Sequence, residues 1–314
     1  MRTRVYAVVV TYNRKEILAG CLDALLAQSY PVERILVTDN ASTDGTREYL
    51  TERGYLAQPV ISYICLPENR GGAGGFHEGF KHAMAENAEW VWAMDDDGLA
   101  HRETLEHLLR APEAAGAFRG PVVLTREEID DPQNDQLAFP GGVERRGKVV
   151  PLRTRREIEA LAQDGVLRGY ASVFNGVLIK REAIQQLGLP DPRFFIWGDE
   201  WDYFLRAREA GIEPTTVTRA LYWHPLDRAP RTTIRLGPLS YDVPHGRDRL
   251  RNYLMIRNHA YLARRYRGWI AWIRHTIKYL LYHRTPAGCF TPSQVLRYSW
   301  EGMTGRFAGR GDFA

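Results

Sequence analysis

The first apolar stretch, VYAVVV at residues 5 to 10, is rich in β-branched side chains and stops abruptly at the polar Thr11, Tyr12 and Asn13. That pattern predicts a short buried strand, about Val5 to Val10. Ile17, Leu18, Cys21, Leu22, Leu25 and Leu26 then recur at three- and four-residue intervals, which predicts a helix. ERILVTDNAS predicts a second strand ending at Asp39, and TDGTREYLTERG a helix stopped by Gly54. VISYICLP reads as a third strand, NRGGAGGF as a glycine loop, HEGFKHAMAENA as a helix and EWVWAM as a fourth strand. Strands alternating with helices predict an α/β fold with a mostly parallel sheet and right-handed crossovers. Ligands of such sheets bind beyond the carboxyl ends of the strands. Thr11 to Asn13, Asp39 with Asn40, Asn69 to Gly75, and Asp95 to Asp97 all fall at those ends, so four polar clusters converge on one rim.

After residue 100 the pattern loosens. Residues 120 to 175 read as strands and loops of a mixed sheet, with a Pro/Gly turn at FPGG. RFFIWGDEWDYFLRAREAG passes from apolar to acidic to helical as far as Gly211, and TTVTRALYWHP reads as a strand ending in His224. Residues 246 to 283 read as helices. Within them, apolar residues at 262, 266, 269, 270, 273, 277, 280 and 281 form a stripe, with Arg267, Arg274 and Lys278 largely off it and Gly268 marking a break. Such a basic amphipathic helix either packs on its own domain or lies on a membrane surface.

Charge sharpens that last alternative. Residues 245 to 284 carry ten Lys/Arg against the single acid Asp248, a net +9, which leaves the remainder with 32 bases and 37 acids, a net −5. A mildly acidic body with a basic C-terminal segment points to an anionic partner at that end. The three cysteines lie far apart with no C-x-x-C pairing, which argues against a zinc site or a disulfide framework. No window approaches about 18 uninterrupted apolar residues, and the apolar run at the start is short for a signal peptide. The expectation is a protein that neither is secreted nor spans a membrane.

The candidate chemistry sits at the rim. From Gly72, a dinucleotide-binding G-x-G-x-x-G would need a glycine where His77 stands, so that pattern fails. The glycines serve either a tight turn or close approach of backbone to a nucleotide or sugar. Asp95, Asp96 and Asp97 follow an apolar strand, where like charges repel unless something positive lies among them. Hard oxygen ligands there suit Mn²⁺ or Mg²⁺ bridged to a diphosphate. Alternation along an extended chain lets Asp95 and Asp97 share a target while Asp96 faces elsewhere. Asp199 and Glu200 open a helix, where acids either cap or act, and Asp202 stands four residues before Arg206 as an ion-pair candidate. Trp197 and Trp201 flank these acids and suit a platform for a sugar. His224 alone is by default a satisfied core histidine, with a metal-ligand role left open.

Taken in order, VVVTYNR, VTDNASTDGT, ENRGGAGGF, WAMDDDG, the long FNGVLIKREAIQQLGLPDPRFFIWGDEWDYFLR and WH resemble the family 2 inverting glycosyltransferases of the GT-A fold, over about residues 4 to 228. Within that family the loop, the acid run and the distal histidine are most similar to galactofuranosyltransferases and neighbouring rhamnosyltransferases. LMIRNHAYLARRY is similar to the arginine-asparagine helix that follows their catalytic domain. The resemblance implies a GT-A catalytic domain at 1–230, with a nucleotide-sugar half to about 100 and an acceptor half from 101. A loop and a basic helical segment would then fill 231–314.

It further implies that Thr11 and Tyr12 with Asp39 hold the nucleoside, and that Asn13, Asn69, Gly71 and Gly72 line the donor site. Asp95 and Asp96 would serve the donor as well, with Asp95, Asp97 and His224 holding Mn²⁺ or Mg²⁺. Glu200 would be the catalytic base beside Asp199, and Trp197, Trp201 and Asp202 would meet the acceptor. The chain departs from the resemblance at one point, since relatives usually carry an aspartate where Glu200 stands. The partners implied are a nucleotide-diphosphate sugar and a glycan or lipid-linked glycan of cell-envelope polysaccharide synthesis. Nucleic acid is not among them. The expected location is cytoplasmic, or peripheral on the inner face of the membrane through residues 245–284. A glycoside hydrolase would not need a nucleotide-sized rim, and a non-catalytic sugar-nucleotide sensor would not need the acids at 199 to 202.

Overall fold

The strand β1 (Val5–Thr11) is apolar on both faces because both faces are covered. Val5, Ala7 and Val9 enter one core with Leu18, Cys21, Leu22 and Leu25 of the helix α1 (Lys15–Leu26). Tyr6, Val8 and Val10 enter another with Phe76, Phe80 and Ala83 of α3 (Gly71–Ala85). Between these come β2 (Arg34–Asp39), α2 (Thr46–Glu52) and β3 (Ile61–Cys65), and after them β4 (Trp90–Asp95). The computed structural model describes residues 2–129, 131, 133–226, 229–236 and 239–307. Of the segment expected over 231–314, residues 237, 238 and 308–314 lie outside the described residues.

Two compact units divide the chain: Met1–Pro192 with Tyr203–Leu226, and Arg193–Asp202 with Asp227–Ala314. The first unit continues through β5 (Leu99–Ala100), α4 (Thr104–Leu109), β6 (Phe118–Thr125), β7 (Gln136–Arg145), β8 (Lys148–Thr154), α5 (Arg155–Leu161), β9 (Val166–Arg168), β10 (Asn175–Lys180) and α6 (Arg181–Leu187). The helix α7 (Asp199–Glu209) and the strand β11 (Thr215–His224) follow. The main sheet runs β3-β2-β1-β4-β10-β6-β11-β5. Its first four strands are parallel, β10 is antiparallel to both neighbours, and β11 is parallel to β6.

Two expectations are corrected here. The glycines of NRGGAGGF do not form a loop: α3 begins at Gly71 and runs through them. A Cβ at Gly75 would strike Val10, and one at Gly79 would strike Val8, so glycine lets the helix lie directly on β1. Close packing here outweighs the poor helix propensity of glycine, which is about 1 kcal/mol per residue. FPGG is likewise no turn but the irregular middle of β7, with a register shift against β8 between Gln136 and Gly141. Proline and glycine are tolerated there because a bulge frees the backbone from regular pairing.

The second unit holds a hairpin of β12 (Arg231–Leu236) with β13 (Leu239–Pro244), then α8 (Arg249–Tyr282) and α9 (Pro292–Met303). Asp248 caps α8 through the Arg251 amide at 2.7 Å, and Gly268, at φ 82°, breaks it where the sequence places a break. Before that kink Tyr253, Leu254, Ile256 and Leu262 are buried; after it His275, Thr276, Tyr279 and Tyr282 are buried while Trp269, Ile270, Ile273 and Ile277 are exposed. The apolar stripe is therefore split by the kink into a packed part and a solvent-facing part. No described helix is long and apolar enough to cross a membrane.

Candidate active site

Parallel register aligns the strand ends of the first unit: Thr11 stands opposite Asp39, and Val10 opposite Asp95. Beyond β4 the chain turns through Asp96 and Asp97 into β5, whose Leu99 pairs with Trp223 of β11. That two-residue strand is what brings His224, the last residue of β11, beside the acid run. Gly98 closes the turn under Tyr222, whose buried hydroxyl has no hydrogen-bond partner among the described residues and occupies the place a Cβ at residue 98 would need.

The three aspartates divide, Asp96 to one side and Asp95 with Asp97 to the other, although the turn rather than a strand sets the last two. Asp96 is buried and faces back under β1, where its Oδ2 accepts from Thr11 Oγ1 at 2.6 Å. Arg14 Nη1 donates to Asp96 Oδ1 at 3.2 Å and to Asp97 Oδ2 at 2.9 Å. Arg14 is thus a positive group among the acids, joined by Arg126, whose Nη1 donates to the Asp97 carbonyl at 3.2 Å, and the sequence pattern pointed to neither. Asp95, Asp97 and His224 present one ligand atom each, all within 4.8 Å of one another.

The donor set fits a divalent cation. His224 Nδ1 lies 2.7 Å from the Pro225 carbonyl, which can only accept, so Nδ1 carries a proton and Nε2 is left to face the acids. Nε2 stands 2.9 Å from Asp97 Oδ1, yet among the described residues that buried oxygen has no aligned hydrogen-bond donor. Burial, and then the nearby Asp97, push the Asp95 carboxyl up to about 8. Burial pushes Asp96 to about 6 against the pull of Thr11 and Arg14. For Asp97, burial works upward, but His224 and Arg14 outweigh it and hold the carboxyl below its usual range. Burial would lower the His224 imidazole, but its contact with Asp97 raises it. An Asp95 carboxyl raised by burial and a like-charged neighbour, beside an Asp97 oxygen with no aligned donor among the described residues, leaves the site short of positive charge.

Around it, the other rim residues are mostly engaged with protein. Asp39 is buried; Oδ1 accepts from the Ser42 amide (2.9 Å) and hydroxyl (2.6 Å), and Oδ2 accepts from Tyr63 Oη. Asn13, at φ 53°, accepts from the Thr43 amide at 2.7 Å. Asn69 Oδ1 accepts from the Gly71 amide at 2.8 Å and so opens α3. Tyr12 is the exposed member, and a Cβ at Gly72 would meet no protein atom within 4 Å.

The acid turn belongs to the second unit as far as Asp202. Phe195 (φ 69°) and Trp197 (φ 60°) are left-handed without being glycine, and Gly198 follows at φ 98°. Such residues persist only where the surroundings over-determine them. Here Asn258 Nδ2 donates to the carbonyls of Phe194 (2.9 Å), Ile196 (2.9 Å) and Trp197 (2.7 Å). The Gly198 amide donates to Glu200 Oε2 at 2.9 Å. Asp199 and Asp202 are buried, and Asp202 Oδ1 accepts from Tyr266 Oη at 2.8 Å. Within the first unit, Arg206 donates to the carbonyls of Leu187 and Leu189. Trp201 is exposed, and Trp197 packs against the core of the second unit.

A mostly parallel sheet with acids and a histidine gathered at its carboxyl rim is that of a ligand-binding α/β enzyme. Residues 6–162 match the family Glycosyl transferase family 2, and the chain belongs to that family and is a glycosyltransferase. It is 36% identical over 263 residues to Galactofuranosyltransferase GlfT1 of Mycolicibacterium smegmatis, with 82% of each chain covered. It is 35% identical over 295 residues to the protein of that name from Mycobacterium tuberculosis, with 92% of each covered. Among solved structures, "GalNAc-T7 with UDP, GalNAc and Mn2+" superposes with a TM-score of 0.56 at 14% identity, over 95% of this chain and 55% of that one. "S. aureus TarS 1-349" gives 0.50 at 14% identity, over 99% and 74%. These two likenesses bear on the fold, which is GT-A.

Proposed function

We propose that this glycosyltransferase moves galactofuranose from a nucleotide-diphosphate donor to a hydroxyl of a glycan or lipid-linked glycan in cell-envelope polysaccharide synthesis. The convergence of Asp95, Asp97 and His224 at the strand ends carries the metal-dependent part of this reading. Galactofuranose rests on the likeness to the mycobacterial galactofuranosyltransferases. A divalent cation, Mn²⁺ or Mg²⁺, on these three residues would neutralise the diphosphate leaving group as a Lewis acid. The exposed Tyr12, Asn13 and the open backbone at Gly72 are available to the nucleotide, while Thr11, Asp39, Asp96 and Asn69 hold the rim in shape. The Glu200 carboxylate accepts the proton of the acceptor hydroxyl as its oxygen attacks the anomeric carbon. The bond to the diphosphate breaks in the same displacement, the nucleotide leaves with the electron pair, and the anomeric centre inverts. Trp197, Trp201 and Asp202 are assigned to the acceptor. Incubation with a panel of nucleotide sugars and a lipid-linked glycan, scoring nucleotide release that requires the acceptor, tests this. Release from a galactofuranosyl donor is expected; release from rhamnosyl donors alone, or cleavage of simple glycosides, overturns it.

The same reading places the enzyme at a membrane surface, peripheral on its cytoplasmic side. Trp269, Ile273 and Ile277 recur at four-residue spacing on the exposed side of α8 with Ile270 beside them. Arg265, Arg267 and Arg274 are exposed in the same stretch, and Arg264 lies over the Trp269 ring at 4.2 Å. An apolar stripe edged by arginines matches the boundary of an anionic bilayer, where each Lys/Arg contributes about 1 kcal/mol.

A further inference from the structure

The Arg257–Asn258 pair of α8 makes a connection to the acid turn that no local pattern announces. Asn258 is fully buried, and its side-chain amide nitrogen is the shared donor to three carbonyls of the segment 194–197, those of Phe194, Ile196 and Trp197. Its own carbonyl oxygen accepts from Arg257 Nε at 2.9 Å. Arg257 Nη2 continues the grip by donating to the carbonyls of Arg193 (2.9 Å) and Phe194 (3.1 Å). The segment so gripped holds two left-handed non-glycine residues and ends at Gly198, whose amide donates to Glu200 Oε2. A line of hydrogen bonds therefore runs from α8, through the bent backbone, to the carboxylate assigned as base.

We propose that Arg257 and Asn258 are positioning residues for the transfer reaction: they hold the backbone whose Gly198 amide orients Glu200, and touch neither substrate. The proposal rests on the reading of Glu200 as the base. Losing the amide donors of Asn258 lets the left-handed turn relax, so that the carboxylate is displaced from the acceptor hydroxyl while the donor site on the other unit's strands is untouched. An interaction felt only as the proton moves lowers kcat and leaves ground-state binding alone.

The experiment is a double-mutant cycle on the full chain, with transfer kinetics, donor affinity by calorimetry and a thermal melt for each protein. Asn258→Ala and Arg257→Lys are each expected to lower kcat about tenfold or more, with donor Kd and acceptor KM within about twofold. Placed on Glu200→Gln, either change is expected to cost no further activity, since the group it positions is gone. Should Asn258→Ala lose its cooperative melt, Arg257→Lys, which keeps the charge and removes the planar fork, decides the matter. Wild-type kcat in a folded variant, an equal loss of donor affinity, or losses that multiply on Glu200→Gln overturn the proposal. If Glu200→Gln itself transfers normally, the base assignment has failed; if Glu200→Gln is inactive and the folded clamp variants are fully active, only the clamp has failed.

Discussion

His224 Nε2 faces Asp97 Oδ1 across 2.9 Å, with the other ring nitrogen already committed to the Pro225 carbonyl. The proposed metal site takes the remaining nitrogen as its histidine ligand. His224→Ala and Asp97→Asn are each expected to weaken Mn²⁺ binding by on the order of tenfold or more, read by electron paramagnetic resonance of the free ion. Transfer is expected to vanish in excess chelator and return with added Mn²⁺ or Mg²⁺. Full activity in chelator refutes the metal assignment.

Glu200→Gln is expected to lower turnover by roughly 10²–10⁴, the usual contribution of a general base, with donor affinity nearly unchanged. Asp199 is buried at the start of α7, and Asp199→Asn is expected to cost less. A variant Glu200→Gln that keeps a tenth of wild-type turnover, beside an inactive Asp199→Asn, would move the base to Asp199.

The α3 glycines separate packing from binding. Gly79→Ala drives a methyl group into Val8, and overpacking of about 1–3 kcal/mol exceeds the helix gain of about 1 kcal/mol. The urea midpoint is expected to fall. Gly72→Ala meets no protein atom within 4 Å, so it is expected to leave stability level or raised while lowering donor affinity. Unchanged donor affinity would remove Gly72 from the donor site.

Acid sensitivity has a local source at Asp44. Burial would raise its carboxyl, but the Thr46 hydroxyl and the Lys15 amide bind the ionised form and hold it below the ordinary 3.8. A depressed carboxylate adds stability that is complete above the unfolded value and is lost as pH falls through the folded one. Melting temperature is therefore expected to drop more steeply below pH about 4 in wild type than in Asp44→Asn. Parallel profiles would show that Asp44 is not a source.

Vesicle co-sedimentation tests the exposed side of α8. Binding to anionic vesicles is expected to fall with rising salt, and to fall again in Trp269→Ser/Ile273→Ser. Equal binding to neutral and anionic vesicles, or no effect of the substitutions, refutes a lipid surface as the partner.

What was legible in the chain followed from burial. The strand runs at 5–10 and 90–94 stood out because covered sheet faces demand uninterrupted apolar side chains, and their polar ends marked the rim. Gly268 read correctly as a break because an exposed stretch offers nothing to override glycine's backbone freedom. NRGGAGGF and FPGG misled for the opposite reason: tertiary contacts with β1 and a bulged strand decided their conformation, and neither leaves a local trace. Arg14 lies 82 residues from Asp96 in the chain, and Asn258 is 61 to 64 residues from the carbonyls it binds. A pairing between a side chain and distant backbone has no periodicity to betray it.

The hydroxyl of Tyr222 sits where a side chain at residue 98 would begin. The acid run is therefore a four-letter word, spelled by three aspartates and the vacancy that follows them, and it cannot slide along the chain by a single position. Libraries that diversify residues 95 to 98 need to keep the last letter constant, whatever chemistry they explore at the first three.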